Sequence, residues 1–169
     1  MRIFGLAGWS GSGKTTLMTA LIPQFVARGL KVSTIKHAHH AFDVDQPGKD
    51  SWRHRQAGAS EVMVMSARRW ALMHELRGEP EPELDDILPR ITPVDLLLVE
   101  GFKWHPHPKI EVHRPSLGRP PLYPGDAHII AVACDERLFG LRLPWLRLDD
   151  AAGIAEFMLR HDEERRWRS

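Results

Sequence analysis

The chain has 169 residues, 43% of them hydrophobic and 27% charged. That is one domain's length with enough apolar material for a core, and it excludes a chain that is disordered throughout. Lys and Arg number 23 against 22 Asp and Glu, a formal net charge of +1, so no global positive field draws nucleic acid or an anionic bilayer, and neither is expected as a partner. A single cysteine, Cys134, excludes an internal disulfide and the paired thiolates of most structural zinc sites. It fits a reducing, cytoplasmic setting.

No stretch approaches the roughly 18 uncharged apolar residues of a membrane span. Residues 1–7 begin with a charge and a short apolar run but lead to no plausible cleavage site, so Ile3–Ala7 reads as a buried first strand. Glycines follow. Leu17, Leu21, Ile22 and Phe25 then recur at near-helical spacing over Lys14–Arg28, Gly29 is the stop, and Pro23 predicts a kink or an interrupted hydrogen-bond ladder. Lys31–Lys36 is a second, β-branched strand. A polar loop rich in His and Asp runs to Asp50, and loops of that length commonly carry function.

Asp50 or Ser51 caps a helix to about Ala57, with Gly58 as terminator. Glu61–Met65 and Trp70–His74 form a hairpin. Glu81–Arg90 reads as an acidic-started helix. Asp95–Glu100 is the most apolar strand of the chain and belongs in the middle of a parallel sheet. Lys109–His113 alternates as a further strand. Pro115, Pro120, Pro121 and Pro124 deny regular structure to most of Arg114–Gly125, which reads as mobile or partner-facing. Ile129–Cys134 is a buried strand, and Asp149 or Asp150 opens a last amphipathic helix through Ile154, Phe157 and Met158. The tail Arg165-Arg166-Trp167-Arg168 reads as a frayed, solvated end, so about 162–169 stand apart from the core. Strands alternating with helices, no internal repeat and no marked boundary predict one α/β domain over 1–169, with a mostly parallel central sheet and helices on both faces.

Gly8-Trp9-Ser10-Gly11-Ser12-Gly13-Lys14-Thr15 matches G-x-x-x-x-G-K-[ST] and sits between the first strand and the first helix, where a phosphate loop must lie. Gly8, Ser10, Gly11, Ser12 and Gly13 offer main-chain N–H groups to a polyphosphate, and the helix N-terminus adds its partial positive charge. Lys14 reaches the β and γ phosphates, Thr15 offers its hydroxyl to Mg2+, and Thr16 is a second contact on the α-phosphate side. The fold is therefore expected to be that of a P-loop NTPase. Glu100, at the end of the apolar strand, is the acidic group near the metal. The loop from His37 emerges at the same sheet edge; Asp45 is the first candidate for a switch-type role toward metal or water, Asp43 the second, and His37 is a nucleotide contact. A guanine offers an N1–H and an amino group to one carboxylate. The chain contains no asparagine, which excludes the Asn-Lys-x-Asp signature, so Asp135 after Ile129–Cys134 becomes the candidate base reader, with a helix cap as its equally weighted alternative.

The phosphate loop, Lys36-His37-Ala38-His39-His40 with Phe42-Asp43-Val44-Asp45, Pro47-Gly48-Lys49-Asp50-Ser51, Arg69-Trp70-Ala71-Leu72-Met73 and Val99-Glu100-Gly101-Phe102-Lys103 together resemble the molybdopterin-guanine dinucleotide biosynthesis protein B (MobB) family. The resemblance runs to about Glu111. It implies a GTP-binding protein with weak GTPase activity, commonly a homodimer, that assists a molybdenum cofactor guanylyltransferase in attaching GMP to molybdopterin. On that footing Lys49, Arg53, Arg69 and Lys103 are candidates to hold the phosphate of molybdopterin or of molybdopterin-guanine dinucleotide. Competing readings are a small-molecule kinase, a metallochaperone GTPase using His39 and His40, with His105 and His107 carrying the same ambiguity, and an adaptor whose nucleotide sets its shape.

Overall fold

The computed structural model describes residues 1–38 and 42–166. His39 and His40, on which the metallochaperone reading leans, and Trp167 and Arg168 of the basic tail lie outside them. The chain divides into two compact units, Met1–His37 with Thr92–Ser169, and Ala38–Ile91. The sequence marks no boundary at either junction.

The first unit contains β1 (Arg2–Ala7), α1 (Lys14–Val26), β2 (Val32–Lys36), β5 (Leu96–Glu100), β6 (Lys109–His113), β7 (Ile129–Cys134), β8 (Trp145–Arg147) and α4 (Ala151–Arg166); α2 (Asp50–Gln56), β3 (Glu61–Met65), β4 (Trp70–His74) and α3 (Leu84–Ile87) belong to the second. The six-stranded sheet has the order β2-β5-β1-β6-β7-β8, and every pair in it is parallel. The predicted α/β architecture with a mostly parallel central sheet is therefore the one observed, but helices α1 and α4 of this unit pack together on one face rather than on both. Strand β5 is buried from Leu96 to Val99 because it lies between β1 and β2, as its unbroken apolar run requires.

Side-chain alternation assigns the two faces of the sheet. Phe4, Leu6, Leu98, Ile110, Val112, Ala131 and Ala133 share one face and pack with Leu17, Leu21 and Phe25 of α1 and Ile154 and Met158 of α4. Helix α1 continues through Pro23 to Val26. The ladder loses only the donor that proline lacks, since Ala27 N–H still reaches the Pro23 carbonyl at 2.9 Å. Helix α4 starts behind Asp150, whose carboxylate accepts from Gly153 N–H at 2.9 Å.

On the opposite face β6 buries Lys109, Glu111 and His113. The neighbouring loops supply partners. Lys109 Nζ donates to the His105 carbonyl at 2.7 Å and pairs with Asp126 at 2.8 Å, and the Glu111 carboxylate accepts from Leu122 N–H at 2.8 Å and Tyr123 N–H at 2.9 Å. A buried carboxylate left without such donors would be strongly destabilising. The proline-rich segment, expected to be mobile or partner-facing, is held at Leu122 and Tyr123 by these bonds. Pro115 and Pro124 sit in two 3-10 turns, Pro115–Leu117 and Tyr123–Gly125, while Pro120 and Pro121 lie in the irregular stretch between them.

Two further expectations change. Residues 145–147 add an edge strand too short to show a period. The helix predicted over Glu81–Arg90 shrinks to α3 and a 3-10 turn, Leu88–Arg90. Pro82 delays its start to Glu83, where a capping box with Asp86 sets the first turn, and Pro89 ends the α-helical ladder.

In the second unit Arg55 of α2 organises the polar side: its guanidinium reaches Asp43 at 2.7 Å, Glu75 at 2.8 Å and Asp45 at 3.4 Å. In the β3–β4 hairpin the pairs Met63–Leu72 and Met65–Trp70 lie on the face opposite the buried Val62–Met73 pair. All four are exposed.

The His107 imidazole fills the space that a side chain on Gly5 would need. Its Nε2 is buried without a hydrogen-bond partner, and burial, reinforced by the Lys109 charge, pushes its pKa from 6.5 down to about 4. The folded chain thus binds this proton more weakly than the unfolded chain, so the contribution is fully present above about pH 6.5 and is lost as pH falls toward 4. Chemical denaturation at pH 7 and pH 4 is expected to show His107→Gln losing about 2 kcal/mol less stability across that interval than the parent. Equal losses would remove His107 as the acid-sensitive group.

Candidate functional site at the carboxyl edge of the sheet

The loop between β1 and α1 is shaped by glycine. Gly8, Gly11 and Gly13 have φ of 145°, 80° and 101°, conformations that side chains resist. A Cβ at Gly8 would also collide with the Val112 carbonyl at the end of β6. Lys14 Nζ folds over the loop and donates to the carbonyls of Gly8 at 3.0 Å and Trp9 at 2.9 Å. Burial lowers its pKa, nearby Glu100 opposes that shift, and Lys103 and Lys36 add to it.

Because β5 is hydrogen-bonded directly to β1, Glu100 ends level with the loop. Thr15 Oγ1 donates to Glu100 Oε1 at 2.9 Å, and Lys36 Nζ stands 3.7 Å from the same oxygen. The turn after Glu100 is tight: Gly101 and Phe102 both have positive φ, 101° and 46°. The His37 ring stacks on Phe102 at 4.6 Å between centroids, and the His37 N–H donates to the Glu100 carbonyl at 2.8 Å. His37 thus buttresses the Glu100 turn.

Trp9 at the crown of the loop donates through Nε1 to the Pro120 carbonyl at 2.7 Å. The Lys103 ammonium lies 4.8 Å and the Arg119 guanidinium 5.6 Å from its ring centre. On the other side of the loop is a cavity of ≈ 690 Å3 lined by Gly13, Thr16, Arg114, Asp135, Trp145 and Asp149 among others. Asp135 pairs with Arg114 at 2.9 Å, and no helix follows it that it could cap.

The predicted residues therefore fall into groups within each unit. Lys14, Thr15 and Glu100 converge, Thr16 and Asp135 line one cavity, and Lys103 sits over Trp9. Ser12 is buried with its hydroxyl unpartnered, whereas Ser10 is exposed. Asp45 and Lys49 belong to the second unit. There Asp45 accepts from Ser51 Oγ at 2.8 Å and faces Arg55, and Lys49 occupies the N-cap of α2. Arg53 and Arg69 lie in the same unit. His105 and His107 pack on each other, 3.0 Å between Nδ1 atoms. Among the described residues no three His, Cys, Asp or Glu side chains form a metal-holding group.

Sequence reasoning missed Arg114, Trp145 and Asp149 as parts of the cavity. Arg114 directly follows a strand at the carboxyl edge, a position where ligand residues collect, and that signal was hidden by the prolines after it.

Residues 3–135 match the family described as molybdopterin guanine dinucleotide synthesis protein B, MobB. The chain belongs to the MobB family. It is 45% identical over 160 residues to the molybdopterin-guanine dinucleotide biosynthesis adapter protein of Escherichia coli (strain K12), covering 93% of this chain and 91% of that protein. To the protein of the same description in Haemophilus influenzae (strain ATCC 51907 / DSM 11121 / KW20 / Rd) it is 48% identical over 134 residues, 78% of this chain and 73% of that one. A crystal structure of molybdopterin-guanine biosynthesis protein B superposes with a TM-score of 0.73 at 33% identity, covering 94% of this chain and 98% of that one. The MobB match takes in the phosphate loop, Glu100, Arg114 and Asp135, while Trp145 and Asp149 in the cavity wall lie beyond it.

Gly101 offers a direct test of how Glu100 is placed. A Cβ there would stand 2.6 Å from His37 Cβ, at a φ that side chains disfavour. Gly101→Ala is expected to cost about 2 kcal/mol of stability in denaturant unfolding. A cost below a few tenths of a kcal/mol would mean that the turn is not constrained.

Proposed function

We propose that this chain binds GTP with Mg2+ at the phosphate loop, hydrolyses it slowly, and serves as an adapter to a molybdenum cofactor guanylyltransferase in attaching GMP to molybdopterin. The observation that carries the nucleotide part is the Thr15–Glu100 pair beside Lys14. A hydroxyl, a carboxylate and an ammonium beside a glycine-shaped loop are the groups that a triphosphate with a hard divalent cation calls for. The adapter part is supported by the description borne by the Escherichia coli relative, with which this chain shares nearly its whole length.

In this reading Thr15 and Glu100 hold Mg2+, directly or through water, and the ion neutralises charge on the phosphate oxygens. The rest is supplied by the chain. Lys14, now bonded to two loop carbonyls, turns its ammonium to the phosphates. The loop amides and the start of α1 face the same anion. Asp135 and the cavity beside it receive the base, and carboxylate acceptance favours guanine over adenine. The cationic side chains Lys103 and Arg119 flank Trp9 at the loop's crown, where a second phosphate, such as that of the pterin, finds opposite charge. The single buried thiol and the lack, among the described residues, of any helix long and apolar enough to cross a membrane are compatible with work in the cytosol.

The hairpin supports a homodimer. A two-stranded ribbon is marginal alone, yet it presents Met63, Met65, Trp70 and Leu72 on one uncovered face, and we take a second copy of the chain as its cover.

Calorimetric titration of the purified protein is expected to show GTP binding that strengthens with Mg2+, and Lys14→Ala is expected to weaken it at least about tenfold. Glu100→Gln should remove the Mg2+ dependence while retaining metal-free binding. Binding untouched by Lys14→Ala would refute the site. Separately, the parent chain is expected to scatter light as a dimer and the Met65→Asp, Trp70→Asp variant as a folded monomer; a monomeric parent would refute the dimer, and a variant that stays dimeric would place the contact elsewhere.

A further inference from the structure

Strand β6 brings Arg114 to the edge of the sheet where the phosphate loop lies, and Pro115 immediately after it confines the Arg114 backbone to an extended conformation, φ −130° and ψ 109°. Its side chain lies across the loop. Nε donates to the Ser12 carbonyl at 3.0 Å, and Nη1 donates to Asp135 Oδ2 at 2.9 Å. Nε and Nη2 also lie 3.6 Å from the position a Cβ on Gly13 would take. One planar group therefore spans from the main chain of the phosphate loop to a carboxylate at the end of β7.

Stability does not explain the arrangement. The Arg114 and Asp135 side chains are 39% and 48% exposed, and ion pairs in that much water contribute little. Geometry does explain it. The guanidinium holds its N–H groups at fixed angles, unlike an ammonium, so a carboxylate bonded to it has a defined position relative to the Ser12 carbonyl. Asp135 keeps acceptor capacity after this bond: among the described residues Oδ1 has only the weak Cys134 Sγ contact, at 3.6 Å. The cavity beside it is lined by Arg114, Asp135 and Gly13 together.

We infer that Arg114 is a positioning residue for base recognition, fixing the Asp135 carboxylate at a set distance from the phosphate loop so that one nucleotide is read at both ends. The inference rests on the nucleotide site proposed above. It adds that guanine preference resides in the Arg114–Asp135 couple and is lost when the fork is lost, even if the positive charge is kept.

The test measures GTP and ATP affinity calorimetrically with Mg2+ for the parent chain, Arg114→Lys, Asp135→Asn and the double variant, with inorganic pyrophosphate as a probe of the phosphate loop alone. Circular dichroism checks each fold. Arg114→Lys is expected to leave pyrophosphate affinity within about threefold while the GTP-to-ATP preference falls about tenfold. Asp135→Asn should lower the preference similarly, and the double variant should lose no more than either single one, because both remove the same device. If Arg114→Lys weakens GTP, ATP and pyrophosphate equally and leaves the preference unchanged, Arg114 merely supports the loop and the inference fails while the nucleotide site stands. If the parent chain binds neither nucleotide, the site itself fails and the inference with it.

Discussion

The placement of β1 between β5 and β6 is the constraint on which the carboxyl edge depends. The phosphate loop is the continuation of β1, so whatever ends the two neighbouring strands must flank it. Parallel pairing brings Glu100 up beside Leu6 and Glu111 up beside Ala7, which delivers a carboxylate to one flank and, three residues after Glu111, a guanidinium to the other. The bond between Thr15 and Glu100 joins residues 85 positions apart because this register, with the His37-buttressed turn after Glu100, sets the two side by side. The same closeness explains why Gly8 has no room for a side chain: the end of β6 occupies it.

The buried charges of β6 tie the covering loops to this edge. Glu111 needs donors because it is out of water, and it takes them from the main chain of residues 122 and 123, so the proline-rich segment is anchored at its far end. Near its middle the Pro120 carbonyl receives the Trp9 indole N–H. An electrostatic requirement inside the sheet thus positions a surface segment over the crown of the phosphate loop, and with it Arg119. Prolines help here. They limit the conformations the free segment could sample, so two anchors suffice to order it.

How much of this was legible follows from the range of the signals. The phosphate loop is a contiguous motif between a strand and a helix, and the apolar run of β5 announces a central strand whose last residue is Glu100; both were readable because each is local. Strand β8 was not, since three residues after Pro144 carry no period. The buried state of Lys109 and Glu111 was hidden because alternation reports which face a residue occupies and says nothing of whether a loop returns to cover it. Arg114 stood in plain view at a strand end, but the prolines after it suggested disorder, whereas in the fold the first of them sets its backbone. For Asp45 the sequence offered two acidic residues on a loop; the structure gives it Ser51 and Arg55 in the second unit, partners that depend on where α2 sits and that no spacing encodes.

The two halves of the edge also differ in kind. The phosphate half is built from main-chain geometry, where Gly8, Gly11 and Gly13 hold angles closed to other residues, so it has little freedom to adjust. The cavity half is built from side-chain pairs in partial contact with water, Arg114 with Asp135 and Arg147 with Asp149, whose individual stabilities are small. On the proposed reading, the rigid half would grip the anion shared by all nucleoside triphosphates, and the second half would be where one base is told from another. On the same reading, an adapter that holds a nucleotide for a partner needs grip and discrimination more than turnover, and the fold would divide those two tasks between separate walls that the Arg114 guanidinium joins.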